Sequence, residues 1–435
     1  MKILVVGGGG REHALAWKLK RDSVGPELFC APGNAGTATL GTNLALSAED
    51  VEGIRAWCAE NRPDLVVVGP EAPLCAGLTD ALEADGIRVF GPRRAAARLE
   101  GSKEFAKEIM QAAGVPTAAY ETFSDPEAAC ACVRERGAPI VIKADGLAAG
   151  KGVTVAETTD RAEAAIREAL EGNAFGDAGA RVVVEDFLEG EEASILALID
   201  GERVVLLASS QDHKRAYDHD RGPNTGGMGA YSPAPVVTPE VLARVRAEIY
   251  EPTLAELKRR GIEYKGVLYA GLMIRDGLPS VVEFNCRFGD PETQAVLARW
   301  EGDVLPAIEA VIDGTLSEEL VRWKAEPAVC VVMAAGGYPG SYEKGREIEG
   351  IAKAEEIDDV VVFHAGTALL GEKTLTAGGR VLGVTALGED LPDALSKVYL
   401  AVETIGFDGA FYRHDIARRA LGRDPSMKPP EPADA

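Results

Sequence analysis

The 435-residue chain has no surplus of positive charge: 69 Asp and Glu stand against 46 Lys and Arg, a net of −23. A surface of that sign repels phosphate backbones. This excludes a nonspecific nucleic-acid binder and obliges any anionic ligand to find a local basic pocket. A CxxC pair is missing too, and the seven cysteines, at 30, 58, 75, 130, 132, 286 and 330, are odd in number and scattered. That pattern excludes a disulfide framework, argues against a zinc site and suits free thiols in a reducing cytoplasm. No apolar run approaches the roughly 20 residues of a membrane span, and the stretch Ile3–Val6 is too short for a signal peptide. Internal repeats and low-complexity core segments are absent. The expectation is a soluble, cytoplasmic monomer with small-molecule partners and neither membrane nor nucleic acid among them.

What is present is an ordinary apolar share, 46%, enough for real cores in two to four domains. Residues 2–6 (KILVV) predict a buried parallel strand and 11–20 a helix, with further strands at 27–30 and 64–68. Such β-α alternation predicts a doubly wound sheet. Beyond a helix over 103–113, short strands at 139–144, 152–157 and 181–185 alternate with helices near 125–137 and 160–171, a lid-sized piece. From 190 to 285 longer strands carry tight hairpin signals at Asp200-Gly201 and Asp276-Gly277, which predict an antiparallel sheet covered by helices near 238–260 and 290–313. Strands at 328–334, 360–364 and 380–386 and a helix near 391–404 form a last unit. The proline-rich final residues, without periodicity, predict a disordered tail.

Three glycine-rich loops suggest backbone approach to a ligand. Gly7 to Gly10 lie between a strand and a helix, where N–H groups and the helix N-terminus make an anion site. A GxGxxG register fails: starting at Gly7 puts Glu12 in the third place, and starting at Gly8 puts His13 there. The second strand also ends in Ala31-Pro32-Gly33-Asn34 without an acid for a ribose, so a nicotinamide cofactor is disfavoured against a phosphate or small polar substrate beside Arg11. The alternative is a tight turn with no ligand. Asp145 to Gly152 resembles a P-loop, but only three residues separate Gly146 from Gly150, and Gly152 follows Lys151 where Ser or Thr is needed. Flanked by strands, it predicts a hairpin flap over a triphosphate, with Lys143 and Lys151 bracketing it. Gly222 to Gly229, after Asp212 and Lys214, predicts a polar-substrate loop; a surface loop is the bland alternative.

The segment Val281 to Asp290 is the most telling chemically. Strand alternation puts Glu283 and Asn285 on one face, with Arg287 continuing the row and Phe284 turned to the core. Two hard oxygen donors suit Mg²⁺, which takes one or two protein side chains plus phosphate oxygens, and Arg287 offers a fork for a carboxylate or phosphate. Cys286 points away and is expected to be structural. A Glu283–Arg287 salt bridge at a sheet edge is the plain alternative.

The ordered segments GGGGREHA (7–14), PGNAG (32–36), VGPEAPL (68–74), EGSKEFAK (100–107), PIVIKADGLAAGKGV (139–153), LEGEEAS (188–194), SQDHKR (210–215), GPNTGGMGAYSPAP (222–235) and EFNCRFGDPETQ (283–294) resemble the glycinamide ribonucleotide synthetase family of the ATP-grasp superfamily. The likeness extends to VVMAAGGYPG (331–340) and FHAGT (363–367) in the last unit. One position departs: His219 stands where the family usually has glycine between two aspartates.

The resemblance implies an α/β and α+β multidomain ATP-grasp fold. Its parts would be an N-terminal substrate domain (1–101), a central domain (102–122 and 190–324), a lid (123–189), a C-terminal domain (325–425) and a tail (426–435). It implies ATP-dependent, magnesium- or manganese-dependent joining of glycine to phosphoribosylamine through glycyl phosphate, in purine synthesis. It also implies roles. Lys103 and Lys143 would grip ATP phosphates, with Gly146, Gly150, Lys151 and Gly152 in the covering flap. Glu185, Phe187 and Leu188 would hold adenine and Glu192 the ribose. Glu283 and Asn285 would bind the metal. Gly9, Gly10, Arg11, Gly33, Asn34 and Glu71 would line the phosphoribosylamine side. Asp212, Lys214, Asn224, Thr225, Gly226, Gly227 and Arg287 would hold glycine and the reacting acyl group, with Lys143, Arg287 and Asp212 catalytic. The competing expectations are an ATP-grasp ligase for another acid or amine, such as a related carboxylase or peptide-type ligase, and a non-enzymatic nucleotide sensor.

Overall fold

The computed structural model of the chain describes residues 1–147, 152–172 and 180–421. The expected flap residues Gly150 and Lys151, and the tail 426–435, lie outside the described residues.

Runs of Ile, Leu and Val build the first sheet. Lys2–Gly7 is buried from Ile3 onward and Leu65–Val68 throughout, as strands covered on both faces require. Five strands run in the order Thr42–Asn43, Glu27–Pro32, Lys2–Gly7, Leu65–Val68, Val89–Phe90, all parallel. The loops after Gly7, Pro32 and Val68 therefore meet at one carboxyl edge, where open α/β sheets bind ligands.

The lid is a four-stranded antiparallel sheet in the order Tyr120–Phe123, Val182–Asp186, Ile140–Ala144, Val153–Ala156. Helices Pro126–Arg136 and Thr159–Leu170 pack on it, each started by a capping side chain, Asp125 and Thr158. Its apolar cluster, including Ile140, Ile142, Ile166, Val182 and Val184, is separate from the other cores.

The central antiparallel sheet runs Val204–Leu206, Glu191–Asp200, Lys265–Arg275, Leu278–Asn285. Both hairpin signals lie between paired strands; Asp276 (φ 53) and Gly277 (φ 75) take the left-handed conformation that a type I′ turn demands. The single helix expected over 290–313 is instead two, Glu292–Arg299 and Leu305–Asp313. They break at Trp300, whose extended backbone pairs with Trp323 and whose ring meets it edge-on at 5.2 Å. Of the remaining indoles, Trp17 packs on Phe363 and Trp57 on Phe29.

The last sheet crosses segments. Ala328–Ala335, Arg380–Leu387 and Val360–His364 form its body, Ala410–Phe411 pairs at one end of Ala328–Ala335, and Gly229–Ser232 and Gln211–Asp212 extend it from the central stretch. One apolar cluster runs from Leu4 and Val66 through Ile109 to Leu268 and Phe284, and another joins Ile3 and Leu15 to Leu196, Trp300 and Phe363. The N-terminal unit and the central sheet thus share cores. Among the described residues no helix is long and apolar enough to cross a membrane.

Candidate active site

The lid and the central sheet meet over a pair of lysines. Lys143 leaves the lid strand Ile140–Ala144 and donates to the Val282 carbonyl at 2.8 Å, one residue from Glu283. Its ammonium also pairs with Glu185 at 2.9 Å. Lys103 begins the helix Lys103–Ala113 and donates to the Gly146 carbonyl at 2.8 Å, at the root of the flap. Gly152 closes the other side of that root, its carbonyl accepting from the Ala144 N–H at 2.8 Å. Phe187 is 39% exposed and borders, with Leu188 and Met273, an open cleft of about 720 Å³ that neither lysine lines.

Glu283 and Asn285 stand on one face of Leu278–Asn285 while Phe284 is buried in the core, as alternation requires. Glu283 would rise with burial, but Lys214, Lys143, Lys103 and Arg287 outweigh this and hold it below the usual carboxylate range. The donor chemistry fits Mg²⁺, which takes one or two oxygen side chains and completes its shell with phosphate oxygens. Among the described residues no group of three or more His, Cys, Asp or Glu could hold a metal by itself.

Lys214 lies 3.1 Å from Glu192 and 3.8 Å from Glu283, tying the expected ribose acid to the expected metal ligand. Burial would lower it, yet Glu192, Glu283 and Asp212 keep it well above the ordinary lysine value. Asp212 is 8% exposed. Burial raises its carboxyl to about 8, against the pull of Lys214.

Arg287 leaves the strand end and reaches two acids, Glu71 at 3.1 Å and Glu100 at 2.7 Å, and Asn285 Oδ1 at 3.4 Å. The plain Glu283–Arg287 salt bridge is not formed; Arg287 is held from the N-terminal side instead. Glu71 would rise with burial, but Arg287 and Arg11 pull it down to about 2. Arg11 donates to Glu12 at 2.6 Å and to the Phe288 carbonyl at 3.0 Å, and its own N–H meets Asp290 at 3.3 Å. The first glycine loop is therefore stitched to the loop after Leu278–Asn285.

The glycines there also have packing reasons. A Cβ on Gly7 would overlap the Glu12 side chain, and one on Gly10 would overlap the Gln294 amide. Gly9 gives its N–H to Glu12 at 2.6 Å. After Gly33, the Asn34 side chain is spent on protein: its amide donates to the Gly8 and His364 carbonyls, and its oxygen accepts from Gly36 and Thr37. Asn224 ends a short strand paired with Arg215, and Thr225 Oγ1 accepts from Gly227 while donating to the Lys214 carbonyl. Gly226 gives its N–H to the Tyr338 hydroxyl at 3.1 Å.

The sequence pattern did not single out several residues that assemble this region. Lys107 shares Glu185 with Lys143, at 3.1 Å, and burial lowers it to about 8 although Glu185 raises it. Glu100 also accepts from the Cys286 N–H and thiol, and Cys286 is buried. Arg380, from the last unit, donates to the Gly226 and Asp290 carbonyls at 2.6 and 2.7 Å. Lys107, one helical turn after Lys103, carried a signal in its spacing. Glu100 and Arg380 meet their partners only through tertiary structure.

Three family models match the chain in order: phosphoribosylglycinamide synthetase N domain over residues 1–100, its ATP-grasp (A) domain over 101–293 and its C domain over 328–419. The phosphoribosylamine–glycine ligase of Pseudomonas aeruginosa is 53% identical over 427 residues, 98% of this chain and 99% of that protein. That of Allochromatium vinosum is 53% identical over 429 residues, 98% of this chain and 100% of its own. The crystal structure of phosphoribosylamine–glycine ligase from Thermotoga maritima superposes with a TM-score of 0.84 at 35% identity, covering 96% of this chain and 100% of that one. The biotin carboxylase domain of Hydrogenobacter thermophilus 2-oxoglutarate carboxylase, in complex with MgADP, ADP and bicarbonate, shares the fold at a TM-score of 0.71 and 17% identity, covering 94% of this chain and 91% of that one.

Proposed function

Because the chain belongs to the phosphoribosylglycinamide synthetase family, we propose that it joins glycine to 5-phosphoribosylamine with ATP, giving glycinamide ribonucleotide, ADP and phosphate in purine biosynthesis. The observation that carries this reading is the gathering of cations on the Glu283–Asn285 strand: Lys143 reaches the Val282 carbonyl, and the charges of Lys143 and Lys103 both bear on Glu283.

A carboxylate is a poor acyl donor until it gains a leaving group. Glycine's carboxylate attacks the γ-phosphorus of ATP to give glycyl phosphate; the amine of phosphoribosylamine then attacks the acyl carbon and phosphate departs. Two anions must approach each other in the first step. Lys143, Lys103 and Arg287 are assigned to hold them and to balance charge as it develops. Glu283 and Asn285 would hold Mg²⁺, with Mn²⁺ as a substitute, which supplies Lewis-acid charge at the phosphate oxygens. Phe187 and Leu188 are assigned to the nucleobase, with backbone groups from Glu185 onward, and Glu192 to the ribose. Arg11, Glu71, Gly9, Gly10, Gly33 and Asn34 surround the phosphoribosylamine side. For Asn34, whose side chain is occupied, that role is limited to its backbone. Asp212 is assigned the glycine ammonium, and 224–227 the loop closing over it. An acyl phosphate hydrolyses in water, so the segment 146–152 is assigned the cover that keeps it dry.

The same reading has the protein working as a cytoplasmic monomer, and the seven free cysteines suit a reducing compartment. Light scattering at assay concentration checks the first part. ADP release should require glycine and phosphoribosylamine together, with Mg²⁺ or Mn²⁺. Equal ADP release without either substrate would defeat the ligase assignment.

A further inference from the structure

Two buried lysines share one buried acid where the lid strands Ile140–Ala144 and Val182–Asp186 meet the helix Lys103–Ala113. Lys143 Nζ and Lys107 Nζ stand 2.9 and 3.1 Å from the same Glu185 oxygen, Oε2. The other oxygen, Oε1, is buried and, among the described residues, accepts no hydrogen bond. Lys143, Lys107 and Glu185 are each no more than 3% exposed. Of the three, Lys107 has no assigned task.

The two ammoniums are held unequally. Lys107 also donates to Thr117 Oγ1 at 2.8 Å and to the Ala118 carbonyl at 3.4 Å, and it stands 5.5 Å from the centre of the Tyr120 ring. Thr117 in turn donates to the Val281 carbonyl at 2.6 Å, and the Val281 N–H donates to the Pro116 carbonyl at 2.8 Å. Lys107 is therefore built into a corner of backbone. Among the described residues Lys143 has two partners, Glu185 and the Val282 carbonyl. Giving up Glu185 would leave it with one neutral acceptor, one residue from Glu283.

That release has an electrostatic condition. A buried carboxylate that loses its cation is left charged and uncompensated, which is costly. Were Lys143 the sole partner, Glu185 would compete with any phosphate for it. With Lys107 in place the acid keeps a cation at 3.1 Å, and the trio holds two ammoniums against one carboxylate. The surplus positive charge suits an incoming anion.

We propose that Lys107 is a positioning residue for Lys143: it remains on Glu185 and so releases Lys143 to a phosphate of ATP. The role rests on the ligase reading above. Lys107 touches no substrate in it and acts only through Glu185.

Steady-state ADP release, with ATP, glycine and phosphoribosylamine varied in turn, tests it. The wild-type protein is measured first; absence of turnover dependent on both glycine and phosphoribosylamine would sink the ligase reading itself. Given that turnover, Lys107→Met should raise the ATP KM roughly 10-fold or more and leave the other two KM values within about twofold. Adding Glu185→Gln to Lys107→Met removes the competing charge and should lower the ATP KM again by about threefold or more. A lysine that merely fills space gives no such recovery. Lys107→Gln, which keeps a donor for Thr117 without the charge, should raise the ATP KM several-fold, and it decides the matter if Lys107→Met does not fold. An unchanged ATP KM in a folded Lys107 variant overturns the proposal. So does an equal rise for all three substrates, or a second substitution that restores nothing.

Discussion

His219 has φ 60 and ψ 32, in the left-handed region, and its neighbour Asp220 follows at φ 54. A glycine, the residue that the resemblance leads one to expect here, would take this conformation without strain. The exposed histidine keeps the backbone path because its N–H is fixed by Asp415 at 2.8 Å and Asp220 is fixed by Arg413 and Arg419. An L residue in this region costs about 1 kcal/mol or more, and β-branching adds to that. His219→Val should therefore lose about 1 kcal/mol of stability, whereas His219→Gly should lose none. Thermal melts of the two variants side by side check this; equal losses would show that the turn is not the constraint. The sequence marked the position as unusual but gave no backbone angle. Single residues were legible where a local rule fixed them, as with Glu283, Asn285 and the inward Phe284. They were not legible where the partner lies far along the chain: Glu100 meets Arg287 across 187 positions, and Arg380 meets Gly226 across 154.

At the scale of elements, the helix Lys103–Ala113 shows how local capping serves the site. Ser102 accepts from the Phe105 N–H at 3.1 Å and donates to Asp145 at 3.2 Å, so one hydroxyl both starts the helix that presents Lys103 and tethers the root of the flap. Ser102→Ala should cost about 1 kcal/mol of stability and also weaken ATP binding, because Lys103 and Asp145 lose their common anchor. Urea unfolding and the ATP KM report the two effects separately; a stability loss with an unchanged KM would limit Ser102 to capping. Most of these elements were legible, because buried parallel strands, hairpin dipeptides and caps are local signals. The break at Trp300 was readable but passed over: Gly302 takes φ 80, Asp303 accepts from the Leu305 N–H and a proline stands in the first turn of the next helix, while only the pairing with Trp323 lay beyond the local sequence. The strands Gln211–Asp212 and Gly229–Ser232 were also missed, being too short for a period to register.

Across the whole molecule, those two short strands matter most. Gly229–Ser232 pairs with Ala328–Ala335, Arg380 grips the carbonyls of Gly226 and Asp290, and Asn34 donates to the His364 carbonyl. The last unit is built into the site rather than appended to it. A chain ending at 325 should leave Tyr231, now fully buried, and the edge of Gly229–Ser232 open to solvent. It should be poorly soluble and should not bind glycine. Recovery of a soluble, glycine-binding fragment would show that the sheet extension is dispensable. Fold class was legible in the alternation and spacing of strands; how the units interlock was not, because sheets shared between distant segments leave no contiguous pattern.

The placement of the tryptophans has an optical consequence. All four stand in the N-terminal and central stretches, and none lies between residues 123 and 189. Ultraviolet emission from the native indoles therefore arises outside the lid, so a spectroscopist following nucleotide capture would watch the scaffold glow while the cover stayed dark.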